Sequence, residues 1–193
     1  MALDLDGAGG DDDLIRRYAG GDAVAARALT LRHLPRILAL ARRMLGDPAE
    51  AEDVAQETML RLWRTAPDWR PGGAAVSTWL YRVASNLCLD RLRRRRASGD
   101  AAPETADDAP SAFAVLARAD RAAALRAALD RLPERQRLAI LLRHFEERGN
   151  PEIAAILGVS VEAVESLLAR GRRELAARLV PRRAELELDD GET

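Results

Sequence analysis

Arginine side chains crowd one short stretch of the sequence. The segment "RLRRRR" (91–96) holds five arginines in six residues, and Asn86, Asp90 and Arg93 follow one another at spacings of four and three. Such spacings place side chains on one face of a helix, and guanidinium groups on one face suit the phosphates of a nucleic acid. A solvated helix C-terminus, where the helix dipole favours cations, is one alternative, and a nuclear localisation signal is another.

Aromatic residues lie just before this run. Trp69, Trp79 and Tyr81 belong to a small set of aromatic residues, which comprises three Trp, two Tyr and two Phe. Aromatic rings stack on unpaired bases, while basic side chains follow the backbone that links those bases. The two features together indicate a surface that binds phosphates and stacks unpaired bases. Burial in a core explains Trp79 equally well.

A second segment has the spacing of a helix-turn-helix motif: "NPEIAAILGVSVEAVESLL" (150–168). Ala154 is small where two helices cross, Gly158 suits the left-handed turn, and Val164 holds the second helix against the first. We assign the remaining core positions to Ile153, Leu157, Val159 and Leu168. The motif favours a DNA-reading element, and an αα-hairpin that binds no nucleic acid is the alternative.

The second helix of this motif presents acids before bases. With Val164, Leu168, Gly171 and Leu175 inward, the outward face holds Glu162, Glu165, Ser166, Ala169, Arg170 and Arg173. Acids in a first turn suit the helix dipole, and a carboxylate can also accept a hydrogen bond from the amino group of cytosine in the major groove. We expect the dipole role for Glu162 and leave both roles open for Glu165. The trailing arginines then supply much of the phosphate attraction, with Ser166 near the bases.

Residues that carry catalysis or bind metals form no recognisable pattern. Cys88 is the single cysteine, which excludes an intramolecular disulfide and a multi-cysteine zinc site. His33 and His144 have no Cys or carboxylate at metal-ligand spacing, and no phosphate loop, nucleophile elbow or HExxH is present. We expect "DDD" (11–13) to be a solvated acidic tail. The sequence therefore predicts neither an enzyme, a metal site nor a cofactor.

Composition predicts the elements that position these residues. About half of the chain is apolar (48%), only 4% is aromatic, and Ala, Leu and Arg dominate. These residues favour helices, and no segment shows sustained alternation of β-branched residues. The chain is therefore expected to be all-α. Every basic residue is Arg, for which a coding bias toward GC-rich codons is a sufficient explanation.

Charge and composition divide the chain into two small helical domains on a flexible acidic linker. Local blocks of one sign cancel to a net charge of −1, which suggests acidic tails and linkers around basic surfaces. We predict a disordered acidic N-terminus (1–11), a first domain (12–96), a linker (97–112), a helix-turn-helix domain (113–179) and an acidic tail (180–193). No signal sequence or membrane-spanning run is evident, so a cytoplasmic protein without membrane insertion is expected.

Two helices of the first domain have clear boundaries. Gly46 ends a helix over 22–45, and Asp47 followed by Pro48 caps the next, over 49–64. The first carries its apolar residues at helical spacing through Val24, Leu31, Leu34, Leu38 and Leu45. The second directs Val54, Met59 and Leu62 toward a core and Asp53, Gln56 and Glu57 outward. A loop over 65–76 follows, and Ser77 is expected to cap a helix over 78–96.

Three quoted stretches resemble a known family. "AEDVAQETMLRLWR" (51–64), "VSTWLYRVASNLCLDRLRRRR" (76–96) and "LDRLPERQRLAILLRHFEERGNPEIAAILGVSVEAVESLLARGRREL" (129–175) occur in that order. They are similar to the two domains of bacterial extracytoplasmic-function (group IV) RNA polymerase sigma factors, over nearly everything from about residue 12 to 179. The resemblance implies a non-enzymatic, dissociable promoter-specificity subunit that opens DNA by capturing unpaired bases. Stress-responsive transcription is a common role of such proteins.

The resemblance also implies partners and contact residues. The first domain would bind the clamp helices of core RNA polymerase through Asp53, Gln56 and Glu57. It would recognise and melt the −10 element through Trp79, Asn86, Arg91, Arg93, Arg94 and Arg95. The second domain would bind the polymerase flap and read the −35 element through Glu165, Ser166, Ala169, Arg170 and Arg173. Family members are commonly held inactive by an anti-sigma factor, which is a further expected partner.

The recognition helix departs from the family pattern. The family often reads "SVGTVKSRLSRAR", whereas this chain has "SVEAVESLLARGR", so Glu165 and Leu167 replace two basic residues. The core positions are intact, and the departure therefore concerns the strength and sequence of −35 contact. Two other functions are weighed beside this one: a free-standing helix-turn-helix regulator, and a recombinase or nuclease. The latter needs a catalytic Ser, Tyr or carboxylate cluster that the sequence does not show.

Overall fold

A computed structural model describes residues 9–99 and 113–187, and within the second range it describes the side chains of 122–179. Every regular element in these ranges is helical, which confirms the all-α expectation. The α-helices are α1 (Asp11–Ala19), α2 (Ala23–Leu45), α3 (Pro48–Thr65), α4 (Val76–Ser98), α5 (Phe113–Asp130), α6 (Glu134–His144), α7 (Asn150–Leu157) and α8 (Val161–Glu187). A single 3₁₀ turn (Ala66–Asp68) follows α3. The chain forms two compact units, with α1 to α4 in the first and α5, α6 and α8 in the second.

Helices α1 to α4 surround the core of the first unit. The predicted inward face of α3 is confirmed, because Val54, Met59 and Leu62 are all buried. The apolar spacing proposed for α2 is wrong at Val24 and Leu31, which are 66% and 44% exposed, and is confirmed at Leu45, which is buried. The residues of α2 that are buried are Ala25, Leu29, His33, Ile37, Leu40, Ala41, Met44 and Leu45. This seam includes His33, a polar residue that a search for apolar spacing passes over.

Helix boundaries in the first unit follow the predicted stop and start signals, with one exception. Gly46 adopts a left-handed conformation (φ 69°) after α2, and the Asp47 side chain accepts a hydrogen bond from the backbone N–H of Glu50. Pro48 occupies the first turn of α3 as expected. The expectation that Ser77 caps α4 is wrong, because α4 begins two residues earlier than predicted, after Ala75, and no side chain caps it.

The N-terminal and linker boundaries also differ from expectation. Residues 9 and 10 precede α1, which begins at Asp11, so the predicted disorder fails at Asp11, and 1–8 lie outside the described residues. Leu14 and Ile15 of α1 are buried, which explains why this segment folds against the unit. Helix α4 extends to Ser98, two residues into the predicted linker, and 100–112 lie outside the described residues.

The second unit packs α6 and α5 against α8. Ala154, Ile153, Val164 and Leu168 are buried, and Gly158 has the left-handed conformation (φ 64°) that the motif requires. Two of the assigned core positions are wrong, since the side chains at 157 and 159 are only half-buried. Helix α8 continues to Glu187, so the predicted acidic tail starts as helix, and 188–193 lie outside the described residues.

A close approach of two helices explains the glycine in the middle of α8. Gly171 is buried, and a Cβ atom at this position would lie 3.0 Å from Cγ1 of Ile140 on α6. Only a residue without a side chain lets the two backbones approach to this distance without displacing Ile140. Gly171 therefore fixes the rotation of α8, with Val164 and Leu168 on its inward face and positions 162, 165 and 173 exposed.

Candidate polymerase and nucleic-acid interfaces

Helix α3 presents a polar face opposite its core residues. Asp53 and Gln56 are exposed and Glu57 is half-buried. Glu57 accepts a hydrogen bond from Nε of Arg61 at 2.8 Å, and this bond, together with the charges of Arg61, Arg64 and Arg91, lowers the pKa of Glu57. Spacings of three and four bring the three polar side chains onto one surface. We call Asp53, Gln56 and Glu57 the α3 polar face.

The arginines at the end of α4 divide into two groups. Arg93, Arg94 and Arg96 are exposed, as is Asn86 two turns earlier, and Arg91 is half-buried. The Arg93 guanidinium lies 3.3 Å from the Asp90 carboxylate. Both of these side chains are mostly exposed, so the pair contributes little to stability and does not hold Arg93 away from a phosphate. Arg93, Arg94 and Asn86 are exposed, and their contact with DNA stays a prediction.

Arg95 belongs to the other group and points into the protein. Its side chain is 14% exposed, and its Nη2 lies 2.9 Å from Oε2 of Glu50. Its Nη1 donates to the backbone carbonyl of Leu45 at 2.9 Å, and Asp47 lies 3.6 Å from Nη2. Arg95 thus joins α4 to the turn between α2 and α3. The prediction that Arg95 contacts DNA conflicts with this placement, because its guanidinium is already held by acceptors within the unit.

Two of the three predicted aromatic residues lie together. The rings of Trp69 and Trp79 meet edge to face, with centroids 6.0 Å apart, and both side chains are half-buried. Nε1 of Trp69 donates a hydrogen bond to Oδ1 of Asp12 at 3.0 Å. Tyr81 is 2% exposed and lies in the core, so its assignment to a stacking surface is wrong. The partial exposure of Trp79 leaves part of its ring open to a base.

Two acids of the triplet at the start of α1, Asp11 and Asp12, contact residues outside this helix, so the prediction of a solvated acidic tail is wrong for them. Oδ2 of Asp11 lies 2.8 Å from Nε2 of His33, and Oδ1 of Asp11 accepts from Arg32 at 2.6 Å. Burial raises the pKa of Asp11, but hydrogen bonds and charge from His33 and Arg32 outweigh that effect, so the pKa is lowered overall. Asp11 therefore ties α1 to α2, and Asp12 ties α1 to Trp69.

The two acids at the start of α8 have different surroundings. The Ser160 hydroxyl accepts from the backbone N–H of Ala163 at 3.3 Å. Hydrogen bonding to its own backbone N–H and to Ser160 lowers the pKa of Glu162. The side chain of Glu165 is exposed and makes no hydrogen bond or ion pair within the described part of the chain. Glu162 thus completes the helix N-terminus, as expected, and Glu165 does not.

The remaining predicted residues of α8 lie on its outward side. Arg170 donates from Nη2 to Oγ of Ser166 at 2.9 Å. Arg170 and Arg173 are exposed, whereas Ser166 and Ala169 are half-buried. Because its hydroxyl is joined to Arg170, Ser166 orients that guanidinium. The two side chains therefore form one unit at the surface of the helix.

Residues 9–99 and 113–187 contain neither a cluster of metal ligands nor a helix that could span a membrane. In these ranges no three or more His, Cys, Asp or Glu side chains gather as metal ligands would. None of the described helices is long and apolar enough to cross a membrane. Cys88 is buried in α4.

Comparison with known families matches both units. The model for sigma-70 region 2 matches residues 29–98, and that for sigma-70 region 4 matches residues 122–175. The SigM sigma factor of Mycobacterium tuberculosis (strain H37Rv) is 37% identical over 86% of this chain and 83% of its own length. The RNA polymerase sigma-H factor of Pseudomonas aeruginosa is 32% identical over 89% of this chain and 94% of its own length. SigE of Mycolicibacterium smegmatis is 37% identical, and the alignment spans 63% of that longer relative.

Solved structures share the fold. CnrH, solved in complex with the cytosolic domain of CnrY, superposes with a TM-score of 0.66 at 31% identity and covers 89% of this chain and 97% of its own. The sigma factor RpoE of Bartonella quintana, solved with the anti-sigma factor NepR, has a TM-score of 0.64 at 23% identity over 79% of this chain. With both region models matched in order and relatives aligned along most of their length, the chain belongs to the extracytoplasmic-function family of RNA polymerase sigma factors.

Proposed function

We propose that this chain binds core RNA polymerase through the α3 polar face and reads a promoter with α4 and α8. Sigma factors are non-enzymatic polymerase subunits, and family membership makes promoter recognition the function of this chain. The main support for this proposal is that two adjacent helices expose side chains of different chemistry. Helix α3 exposes carboxylates and an amide, whereas the end of α4 exposes arginines.

The α3 polar face is proposed as the contact with the polymerase clamp helices. The side chains of Asp53 and Gln56 make no hydrogen bond or ion pair within the described residues, so both side chains are available to a partner. Glu57 is held ionised by Arg61 and by the positive charges around it. Polar side chains fixed on one helix face suit a complementary basic surface, because charge pairs across an interface set orientation and speed association.

Helix α4 and the tryptophan pair are proposed as the −10 contact. Exposed arginines bind the backbone phosphates, Asn86 reaches toward the bases, and the partly exposed ring of Trp79 stacks on an unpaired base. The α4 residues in this proposal are Trp79, Asn86, Arg91, Arg93 and Arg94. Arg95 is left out because Glu50 and Leu45 hold its guanidinium.

Helix α8 is proposed as the −35 contact. It is the second helix of the helix-turn-helix, the element that enters the major groove in such motifs. Glu165, Ser166, Ala169, Arg170 and Arg173 lie on its outward side. The joined Arg170 and Ser166 side chains favour a phosphate contact for this pair, which differs from the expectation that Ser166 lies near the bases.

The proposed partners distinguish a polymerase subunit from a free-standing regulator. A free-standing regulator with the same motif would need no partner for α3, and the match of region 2 over residues 29–98 favours the polymerase subunit instead. We also propose the cytoplasm as the site of action, because promoter DNA and polymerase are there. RpoE of Bartonella quintana was solved with an anti-sigma factor. An anti-sigma factor stays a predicted partner of this chain.

Binding of fluorescently labelled protein to core polymerase tests the clamp assignment. Asp53→Arg or Glu57→Arg is expected to weaken binding at least tenfold, because like charges placed together across an interface cost several kcal/mol and about 1.4 kcal/mol already corresponds to tenfold. Glu52→Arg is the matched control, since Glu52 is exposed on the same helix and pairs with Arg42 at 3.2 Å. Unchanged affinity in both test variants, with the wild type bound, contradicts the assignment. Absence of wild-type binding contradicts the proposed function itself.

A further inference from the structure

Two carboxylates three residues apart on α8 differ in what holds them. Hydrogen bonding to its own backbone N–H and to Ser160 lowers the pKa of Glu162, which lies in the first turn of α8. The side chain of Glu165 is exposed and makes no hydrogen bond or ion pair within the described residues. The nearest arginine on the outward face, Arg170, donates instead to Ser166. Glu165 therefore presents an unneutralised carboxylate on the DNA-reading side of the helix.

The rotation of α8 fixes where this carboxylate lies. Val164 and Leu168 are buried at 0% and 3% exposure, and Gly171 contacts Ile140 closely. Glu165 is the fifth residue of a helix that begins at Val161. The N-terminal residues of a recognition helix are those that contact base edges, while flanking basic residues contact phosphates. Glu165 thus lies in the part of α8 that reaches the bases, and Arg173 two turns later is left for the backbone.

A carboxylate in the major groove needs a hydrogen-bond donor. Ionised carboxylates only accept hydrogen bonds, and close phosphates repel them. The donors on the base edges of the major groove are the N4 amino group of cytosine and the N6 amino group of adenine, whereas guanine and thymine present acceptors. Adenine places its N7 acceptor beside its amino group, where it repels the second carboxylate oxygen. The cytosine base itself has only a C5–H beside its amino group in the major groove.

We infer that Glu165 selects cytosine at one position of the −35 element. This inference rests on the proposed function, and it deepens that function by naming the base that the helix recognises there. The carboxylate accepts from the N4 amino group of cytosine, and it disfavours guanine and thymine because their acceptors face it unpaired. Arg170, oriented by Ser166, contacts a phosphate beside this base and offsets the negative charge of Glu165.

Selection of promoter DNA by the complete holoenzyme tests this inference. Core polymerase with wild-type protein is used to enrich a DNA library randomised across the −35 region, and the enriched molecules are sequenced. Cytosine is expected at one position, preferred over the other bases by roughly tenfold, the discrimination typical of a good side-chain contact to a base edge. Glu165→Ala is expected to abolish that preference. Glu165→Gln is expected to move it toward adenine, because an amide can pair with N6 and N7 together.

Glu162→Gln is the matched control on the same helix. Glutamine can still accept the local hydrogen bonds, so this variant is expected to retain the cytosine preference. Circular dichroism is expected to show the same helix content and melting temperature for the Glu165 variants, because Glu165 is exposed and unpaired. An enriched −35 sequence that is the same in wild type and both Glu165 variants overturns this inference alone. A wild-type holoenzyme that enriches no sequence overturns the proposed function and the inference together.

Discussion

Individual arginines in one run have opposite roles, and burial decides between them. Arg94 is exposed, whereas Arg95, the next residue, is 14% exposed and held by Glu50 and by the Leu45 carbonyl. A guanidinium in solvent can release counterions when it meets a phosphate, and one that is already paired cannot. At the residue scale, the sequence "RLRRRR" therefore combines a DNA contact with a structural tie.

Alanine substitution separates these two roles. Arg95→Ala is expected to lower the free energy of unfolding by about 2 kcal/mol, because it leaves the Glu50 carboxylate and a carbonyl without their donor. Arg94→Ala is expected to change stability by less than about 0.5 kcal/mol and to reduce the salt dependence of promoter DNA binding by about one counterion. Chemical denaturation and a salt titration measure the two effects. A stable Arg95→Ala variant with the larger loss of DNA affinity would reverse the assignment.

At the scale of elements, α1 depends on its acidic first turn. Asp11 contacts Arg32 and His33 of α2, and Asp12 contacts Trp69 before α4. Leu14 and Ile15 add buried apolar surface. The helix thereby joins α2 to the tryptophan pair that we propose as part of the −10 contact. Its three acids also suit the positive end of the helix dipole.

The Asp11 anchor predicts a defined dependence on pH. The pKa of Asp11 in the folded protein lies below its ordinary value of 3.8, so its stabilisation is present in full above that value and is lost as the pH falls through the lower folded pKa. At neutral pH, Asp11→Asn is expected to lower the free energy of unfolding by about 1 kcal/mol, since the carboxylate is partly exposed. The difference from wild type should disappear in strong acid.

A neighbouring acid supplies the control for this prediction. Asp13→Asn removes the same charge from the same helix turn, but the Asp13 carboxylate pairs only with Arg16, whose side chain is 66% exposed. Denaturant unfolding at a series of pH values compares the two variants. Equal losses of stability in both would show that the helix dipole, and not the contact with His33 and Arg32, accounts for the effect of Asp11.

Local signals in the sequence predicted where helices begin and end. Contacts between residues that are far apart in the sequence could not be predicted from it. Gly46, Asp47 and Pro48 mark a helix end and start because each acts on its own backbone. His33 and Asp11 lie 22 residues apart, and no periodicity links them. The apolar pair "LI" within "DDDLIRRYA" was the one local sign that α1 is a folded helix.

The same distinction applies to the candidate site. The spacing of Asp53, Gln56 and Glu57 is enough to place them on one face, and the order of core residues in 150–168 is enough to predict the helix-turn-helix. Burial of Tyr81 and pairing of Arg95 depend on how α4 packs against its neighbours, which the composition of α4 does not reveal. The different surroundings of Glu162 and Glu165 likewise depend on where α8 begins.

In the whole molecule, exposed charges of one sign are grouped on separate helices, although the net charge is close to zero. The net charge is −1, yet arginines are exposed at the end of α4 and along α8, and acids are exposed on α3. Such an arrangement lets one chain meet both a nucleic acid and a protein, because each surface attracts its own partner. The region 2 match (29–98) lies within the first unit, and the region 4 match (122–175) lies within the second unit except for residues 155–158.

Transcription with purified components tests this account most directly. Core polymerase is incubated with fragmented genomic DNA of the source bacterium, with and without this protein, and the 5′ ends of the transcripts are sequenced. We predict discrete start sites that appear only when the protein is present and that share sequence elements about 10 and 35 base pairs upstream. The Asp53→Arg variant is predicted to reduce initiation at the same sites. An identical set of transcripts with and without the wild-type protein would contradict the central claim.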